Sequence, residues 1–190
     1  MNDISRKQIT LRTAISVGRV ICSKESLALI EENKIPKGSV LDIARASGLI
    51  SAKHTQHLIP HCHPVTIDGM NIEFEFITPG TSLGFEDRIA DKYGVLVKVE
   101  AKSIGRTGIE MEALTAVSMT CLALYDMMKY LNDSLLEVTG VKLLKKTGGK
   151  SDRKRFTHRE HTAAVLVCSD STARGERKDK SGILIKEHLE

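Results

Sequence analysis

An acid and an amine that could exchange protons lie three residues apart, as Asp126 and Lys129. On a helix such residues are neighbours on one face, so the carboxylate and the ammonium can meet. Burial would raise the pKa of Asp126 and lower that of Lys129, whereas their mutual attraction would do the reverse. The spacing alone favours a surface ion pair, but both charges interrupt an apolar helix, which makes acid–base catalysis the competing interpretation.

Three reactive side chains, His61, Cys62 and His63, lie in a row between two prolines. Adjacent residues rarely converge on one metal ion, and no second cluster completes recognisable zinc spacing, so the pattern argues against a structural zinc. A rigid loop that offers imidazoles to an anionic ligand fits these residues better. The alternative without a function is a turn in which His63 bonds a backbone carbonyl.

Carboxylates and lysines also lie beside glycine-rich turns. Glu110 and Glu112 open a long apolar helix after the turn at residues 105–108. Acids there interact favourably with the helix dipole, although the same free N–H groups could hold an anion. Lys146 and Lys150 enclose a Gly-Gly pair, where an ammonium could neutralise an oxyanion. No Walker A sequence is present, and a solvated basic linker explains the two lysines equally well.

The composition excludes several classes of protein. The chain has 190 residues, of which 41% are hydrophobic and 27% charged. These values are typical of a globular protein and exclude wholesale disorder, collagen repeats and a coiled-coil rod. The net charge of +4 suits an anionic small substrate as well as nucleic acid. The scattered cysteines show no CxxC pair, which predicts reduced thiols and a cytoplasmic protein.

Neither a leader nor a membrane segment is expected. Residues 1–10 are polar and lack the apolar region of a signal peptide. The longest uncharged run, residues 113–125, is shorter than the roughly 20 residues that a membrane helix needs. We therefore interpret that run as a buried core helix, and we expect no membrane partner.

Strands and helices must hold these groups in place, and the sequence predicts both. Leu11, Thr13, Ile15 and Val17 alternate with Arg12, Ala14 and Ser16, which is typical of a half-buried strand. Alternation predicts further strands at residues 72–76, 95–99 and 135–144, the first two of them antiparallel and the last with a bulge or turn at Gly140. Helical spacing predicts helices at residues 24–33, 40–57 and 109–131, the first two capped by Ser23 and Ser39.

A change in composition predicts a second, incomplete domain. Residues 142–159 are rich in Lys and Arg, and an apolar strand at 162–168, a loop and a helix at 181–189 follow. This strand, loop and helix are typical of the first β-α unit of an α/β domain. Such a domain needs several units, so the second domain is predicted to be incomplete. The predicted organisation is a first domain over residues 1–152, a basic linker over 153–161 and a fragment over 162–190.

Two kinds of function compete on these observations. An enzyme for a polyphosphate small molecule would use lysines for the phosphates and the pair of Asp126 and Lys129 for proton transfer. A binding module would contact nucleic acid through residues 142–159, but base stacking needs aromatic side chains and only Phe156 lies there. The enzyme is therefore favoured, and steep salt dependence of nucleic-acid retention would support the alternative.

Several motifs together resemble the cyclic pyranopterin monophosphate synthase family (MoaC) of molybdenum cofactor biosynthesis. The resemblance covers roughly residues 5–152, in order and without large gaps. It is carried by Lys37-Gly38-Ser39-Val40, Ala44-Arg45, Ala52-Lys53, Leu58-Ile59-Pro60-His61-Cys62-His63-Pro64, residues 105–116, Tyr125-Asp126-Met127 and Lys146-Thr147-Gly148-Gly149-Lys150-Ser151.

The resemblance implies a fold, an assembly and a reaction. The fold is ferredoxin-like α+β, with an antiparallel sheet covered by helices. The assembly is a homo-oligomer, a hexamer built as a trimer of dimers with the active site at the dimer interface. The reaction converts 3′,8-cyclised dihydro-GTP into cyclic pyranopterin monophosphate and pyrophosphate. No cofactor or protein-bound metal is required, although Mg²⁺ can accompany the triphosphate, and neither nucleic acid nor a membrane is a partner.

Matching the motifs residue by residue also implies roles. Asp126 matches the catalytic aspartate, with Lys129 and Lys37 as acid and base. Substrate contacts are implied for His61, Cys62, His63, Met111 and Glu112, a triphosphate contact for Lys146, and further contacts for Lys53, Glu110 and Lys150. Lysines can neutralise the pyrophosphate leaving group, and a tuned Asp/Lys pair can move the protons that the purine-to-pterin rearrangement needs.

Two positions depart from the family pattern, and the end of the chain resembles a second family. His61 stands where we expect an apolar residue, and Ser39 stands where we expect an acid, an exchange that a helix cap tolerates and a catalytic role would not. Residues 162–190 resemble the start of a MoaB/MogA-like molybdopterin-binding domain, through residues 164–170, Arg174-Gly175 and residues 179–182. This implies a bifunctional fusion of two steps of one pathway, with no adenylyl transfer expected from the fragment alone.

Overall fold

The computed structural model describes residues 1–82, 91–149 and 165–189. The chain divides into two compact units, Met1–Lys154 and Arg155–Glu190. Lys150, the predicted linker and the first residues of the strand predicted at 162–168 lie outside the described residues.

The first unit combines one antiparallel sheet with helices. Its strands lie in the order β2-β3-β1-β4, with the bounds β1 Thr10–Cys22, β2 Gly69–Ile77, β3 Tyr93–Gly105 and β4 Glu137–Thr147. Its helices are α1 Lys24–Glu31, α2 Val40–Leu58 and α3 Glu110–Met128, and a 3-10 turn, Lys129–Leu131, follows α3. The predicted α+β fold, an antiparallel sheet packed against helices, is confirmed.

Helix α3 packs across the central strand β1, because that strand carries small residues beneath the helix. Ala14 and Ser16 are fully buried there, and the Ser16 hydroxyl donates a 2.7 Å hydrogen bond to the Ala113 carbonyl. A Cβ on Gly18 would lie 2.9 Å from Cys121 Sγ. Leu11, on the opposite face, is 58% exposed. The alternation therefore identifies the strand, but at this end the smaller residues form the buried face.

Helices α2 and α3 approach each other most closely at Gly48. A Cβ on this glycine would overlap Thr120 Oγ1 and lie 2.7 Å from Ile72 Cδ1. Thr120 is itself buried, and its hydroxyl donates a 2.8 Å hydrogen bond to the Ala116 carbonyl within α3. The glycine inside α2 is thus required by packing against the next helix.

Local signals for caps and turns are confirmed in part. Ser23 caps α1, since its hydroxyl accepts a 3.1 Å hydrogen bond from the Ser26 N–H. Ser39 makes no such cap on α2, and its hydroxyl instead donates to Asp42 Oδ2 at 2.7 Å. Gly140 has a φ of +63° and lies where the register of β1 and β4 shifts, as expected for a bulge.

The second unit contains two short helices, α4 (Asp170–Ala173) and α5 (Ser181–Leu189). Helix α5 confirms the prediction for residues 181–189, and α4 lies where the sequence predicted a loop. Residues 165–168, the described part of the strand predicted at 162–168, are not paired in a strand. Among the described residues of the whole chain, no helix is both long and apolar enough to cross a membrane.

Replacing Gly48 with Val should destabilise the first unit. The branched side chain would enter the space held by Thr120 and Ile72, so we expect the free energy of unfolding in urea to fall by about 2–3 kcal/mol. Ala46→Val places the same side chain on an exposed position of α2 and should change that free energy by less than about 1 kcal/mol. A loss no larger for Gly48→Val than for Ala46→Val would show that the contact with α3 does not exclude the side chain.

Candidate active site

Helix α3 carries predicted site residues at both of its ends. At 1.5 Å of rise per residue, Glu112 and Asp126 are separated by about 21 Å along the helix. The predicted residues therefore fall into two groups. We call the group around Glu110, Met111 and Glu112 the N-terminal cluster, and the group around Asp126 and Lys129 the C-terminal cluster.

The C-terminal cluster brings together the predicted catalytic residues. Lys129 Nζ lies 2.6 Å from Asp126 Oδ1. Lys37 arrives from the connection between α1 and α2, where it precedes Gly38, whose φ is +106°. Its ammonium donates a 3.0 Å hydrogen bond to the Asp126 backbone carbonyl and lies 5.8 Å from the centre of the Tyr130 ring. Two ammonium groups thus lie beside one carboxylate.

Mutual attraction sets the protonation of this cluster. The hydrogen bond and charge of Lys129, and then the charge of Lys37, hold the pKa of the Asp126 carboxyl below its usual value. Asp126 in turn raises the pKa of the Lys129 ammonium. The two side chains are 60% and 58% exposed. In the isolated chain the arrangement is therefore a charged surface ion pair, and proton transfer by Lys129 at neutral pH requires an added burial that offsets this attraction.

The N-terminal cluster forms a pocket of about 240 Å³. The loop before β2 supplies one wall and the first turn of α3 supplies the other. Six of the nine side chains for which the resemblance implies a substrate contact line it, namely His61, Cys62, His63, Glu110, Met111 and Glu112, together with Val65, Thr107 and Gly108.

Burial disfavours the charged forms of both the acid and the thiol in this pocket. Glu112 is only 4% exposed. Burial, and to a smaller extent the charge of Glu110, raise the pKa of the Glu112 carboxyl. Burial and then the charge of Glu112 raise the pKa of the Cys62 thiol. Since the thiolate is the reactive form of cysteine, Cys62 is not activated as a nucleophile.

The three predicted lysines Lys146, Lys53 and Lys150 do not lie together. Lys146, at the end of β4, reaches the N-terminal cluster, where its Nζ lies 3.0 Å from Glu110 Oε1. Lys53 is exposed on α2 and makes no hydrogen bond or ion pair with a described residue. Lys150 lies outside the described residues. Within residues 1–82, 91–149 and 165–189, no group of three or more His, Cys, Asp or Glu side chains could hold a metal ion.

Sequence reasoning missed a buried arginine behind the pocket. Arg12 is 9% exposed, and its guanidinium donates hydrogen bonds of 3.3 and 3.4 Å to the carbonyls of Gly105 and Arg106. These bonds fix the turn that leads to Thr107, which lines the pocket. The sequence feature that could have identified it is the charge of Arg12 among the small residues on the buried face of β1.

The N-terminal segment of the chain was missed as well. His63 Nε2 lies 2.8 Å from the Asn2 carbonyl, and since a carbonyl only accepts, this ring nitrogen carries the hydrogen. The predicted hydrogen bond from His63 to a backbone carbonyl is therefore present, although the carbonyl belongs to a distant segment and the bond does not decide whether His63 also contacts a ligand. Asn2, Ile4 and Lys7 of that segment line a second cavity next to the histidines.

Comparison with known proteins identifies the family to which the chain is similar. A family model described as the MoaC family matches residues 1–149. The chain is 44% identical over 153 residues to the cyclic pyranopterin monophosphate synthase of Cereibacter sphaeroides (strain ATCC 17029 / ATH 2.4.9), covering 80% of this chain and 88% of that protein. A protein of the same name from Thermoanaerobacter sp. (strain X514) is 41% identical over 151 residues, covering 80% of this chain and 87% of that protein.

A longer relative matches the whole chain. The molybdenum cofactor biosynthesis bifunctional protein of Chlorobaculum tepidum is 38% identical over 190 residues, which are 100% of this chain and 55% of that protein. The chain thus spans about half the length of this relative.

The buried charge of Glu112 should reduce stability at neutral pH. Because its pKa is raised above the ordinary value of 4.5, the folded chain binds this proton more tightly than the unfolded chain, and stability falls as the pH rises through that region. Glu112→Gln keeps the shape and removes the charge. It should raise the Tm by roughly 2 °C or more at about pH 7.5 and leave it unchanged at about pH 4, in a thermal unfolding series.

Glu110→Gln is the matched control, because the Glu110 carboxylate is partly exposed and paired with Lys146. It should show no stabilisation at neutral pH. An increase in Tm of equal size at both pH values for Glu112→Gln would contradict the role of the buried charge.

Proposed function

The chain belongs to the MoaC family, and on that premise we propose that it converts 3′,8-cyclised dihydro-GTP into cyclic pyranopterin monophosphate with release of pyrophosphate. It is an enzyme of molybdenum cofactor biosynthesis of the cyclic pyranopterin monophosphate synthase type. The observation that carries the proposed chemistry is the meeting of Lys37, Asp126 and Lys129 at one end of α3.

The proposed reaction needs both proton movement and charge neutralisation. To form the cyclic phosphate, a substrate hydroxyl oxygen attacks the innermost phosphorus, its proton passes to a base, and the bond to pyrophosphate breaks. Rearrangement of the purine to a pterin adds further proton transfers. Lys129 and Lys37 act as acid and base, and Asp126 orients and poises Lys129 through their 2.6 Å contact.

The two clusters must come from two copies of the chain if they act on one substrate. A straight helix holds them about 21 Å apart, which is too far for one small molecule to contact both within a chain. An isologous dimer solves this, because the N-terminal cluster of one copy then faces the C-terminal cluster of the other. The same dimer would bury the exposed ion pair of Asp126 and Lys129, as acid–base chemistry at neutral pH requires.

An apolar stripe along α3 supports such a dimer. Met111, Met119, Leu122 and Tyr125 are between 37% and 51% exposed, and they recur at helical spacing between the two clusters. Exposed apolar side chains in a row are typical of surfaces that meet another protein. We extend the proposal to the hexamer, a trimer of such dimers, that the resemblance implies.

The proposal also covers cofactors, location and the end of the chain. The reaction uses no organic cofactor and no resident metal, and Mg²⁺ enters with the triphosphate, in the cytoplasm. Residues 162–190 belong to the start of a MoaB/MogA-like domain, joined by a basic linker to a synthase domain over residues 1–152. The alignment of the whole chain with a bifunctional relative supports this organisation.

Lys129→Ala should reduce turnover by about 100-fold or more, because general acid–base catalysis contributes on that order. Pyrophosphate release from the cyclised substrate, and the fluorescence of the oxidised pterin, measure the loss. The fold of each copy should be preserved, since the ion pair is exposed within a single chain. Lys34→Ala is the matched control, because Lys34 forms an equally short, equally exposed ion pair with Glu32. Undiminished pterin formation by Lys129→Ala would refute the assigned role.

Mixing two inactive variants tests whether the site is shared between copies. Lys129→Ala disables the C-terminal cluster and His63→Ala the N-terminal one. If each site takes one cluster from each copy, mixed dimers hold one intact site, so unfolding and refolding an equal mixture should restore about a quarter of wild-type activity. Mass spectrometry verifies that mixed oligomers have formed. If they have formed and no activity returns, each site takes both clusters from a single chain.

A further inference from the structure

We infer that Tyr130 is a positioning residue for Lys37. Its ring holds the Lys37 ammonium against the end of α3 and away from the Asp126 carboxylate, and so leaves that carboxylate to Lys129. The inference rests on the proposed function, because it deepens the part assigned there to Lys37. Tyr130 belongs to none of the motifs that carry the resemblance to the family.

Lys37 is presented by a tight turn between α1 and α2. The Gly38 N–H donates a 3.1 Å hydrogen bond to the Ile35 carbonyl, and a proline at the second position with a glycine at the fourth is typical of a type I turn. The side chain of Ile35 is buried, as is that of Val40, two residues after the turn. The backbone of Lys37 is therefore fixed, whereas its exposed side chain needs contacts of its own.

Two contacts define where the Lys37 side chain points. One of its three N–H groups donates a 3.0 Å hydrogen bond to the Asp126 backbone carbonyl. Its ammonium also lies 5.8 Å from the centre of the Tyr130 ring, within the range at which an aromatic ring attracts a cation. A single hydrogen bond leaves a long lysine side chain much of its rotational freedom, and the ring supplies the second point that fixes it.

Tyr130 is itself held in place by the chain on both sides. It lies in the middle of the 3-10 turn that follows α3. Met128, just before that turn, is fully buried, and Leu131 packs against the core. The turn ends at Asn132, whose φ of +52° is a left-handed conformation that asparagine tolerates and that stops the helix. The tyrosine ring therefore stands on a fixed backbone beside Lys37.

The ring contact matters because two ammonium groups lie beside one carboxylate. Lys129 Nζ is 2.6 Å from Asp126 Oδ1, whereas Lys37 bonds the backbone carbonyl of the same residue. The pKa of the Asp126 carboxyl is lowered first by Lys129 and then by the charge of Lys37, so both ammonium groups act on it. Without the ring, the exposed Lys37 side chain would be free to turn onto the carboxylate and compete with Lys129 for it.

NMR of the full chain, labelled with ¹³C at the ε-carbon of lysine, tests the contact itself. The Lys37 signal, assigned by its absence from Lys37→Met, should carry a ring-current shift. Tyr130→Leu should remove this shift, and Tyr130→Phe should keep it, because phenylalanine retains the ring without the hydroxyl. Leu135→Ala is the matched control, since it removes another exposed apolar side chain from the segment between α3 and β4, and it should leave the signal in place.

Steady-state kinetics with the cyclised substrate tests the positioning role. Tyr130→Leu should lower kcat by about three- to tenfold and change KM by less than about twofold, because proton transfer and not binding is disturbed. Tyr130→Phe should restore most of the rate, and Leu135→Ala should match the wild type. In a Lys37→Met background, Tyr130→Leu should cause no further loss, since a residue that acts through Lys37 then has nothing to act on.

An unchanged Lys37 signal in Tyr130→Leu, an equal loss of kcat in Tyr130→Leu and Tyr130→Phe, or a further loss in the double variant would each overturn the inference. So would an unchanged kcat in Tyr130→Leu once the signal has moved. Failure of the proposed function looks different, because the ring-current shift would persist while the wild-type chain releases no pyrophosphate from the cyclised substrate.

Discussion

The rigidity of α3 is the constraint on which the rest of the structure depends. Close contacts fix this helix on both sides, since no room remains for a side chain at Gly18 beneath it or at Gly48 beside it. A helix held in this way cannot bend to bring Glu112 and Asp126 together. The separation of about 21 Å between its ends is therefore a fixed dimension, and any site that uses both ends needs a second copy of the chain.

The ionisable groups at the two ends of α3 lie in opposite electrostatic environments. At the N-terminal end burial raises the pKa of the Glu112 carboxyl, which disfavours its charged form. At the C-terminal end attraction keeps Asp126 and Lys129 charged while both are exposed. Association would change the second end far more than the first, because only exposed charges have solvation left to lose. The proposed dimer would link assembly to catalysis in this way.

Sequence alone predicts what depends on neighbours along the chain. The pair of Asp126 and Lys129, the cap by Ser23 and the bulge at Gly140 are all local, and each follows from spacing or residue type. Lys7 and Arg12 could not be recognised in the same way. Their positions depend on contacts between segments 61 and 93 residues apart in the chain, the first from His63 to Asn2 and the second from Arg12 to Gly105. The catalytic role predicted for Lys37 came from the resemblance to a family, because its spacing from Asp126 in the sequence does not indicate a contact.

The histidine loop shows how the two clusters divide their tasks. Its thiol is held protonated, since burial raises the pKa of Cys62, and one imidazole, that of His63, is occupied by the backbone of the N-terminal segment. What remains for this loop is to shape the pocket and to present His61. The groups proposed to transfer protons, two ammonium groups beside one carboxylate, lie at the other end of α3. In the proposed function, binding and proton transfer are therefore assigned to separate places in one chain, and a dimer is the simplest arrangement that would unite them.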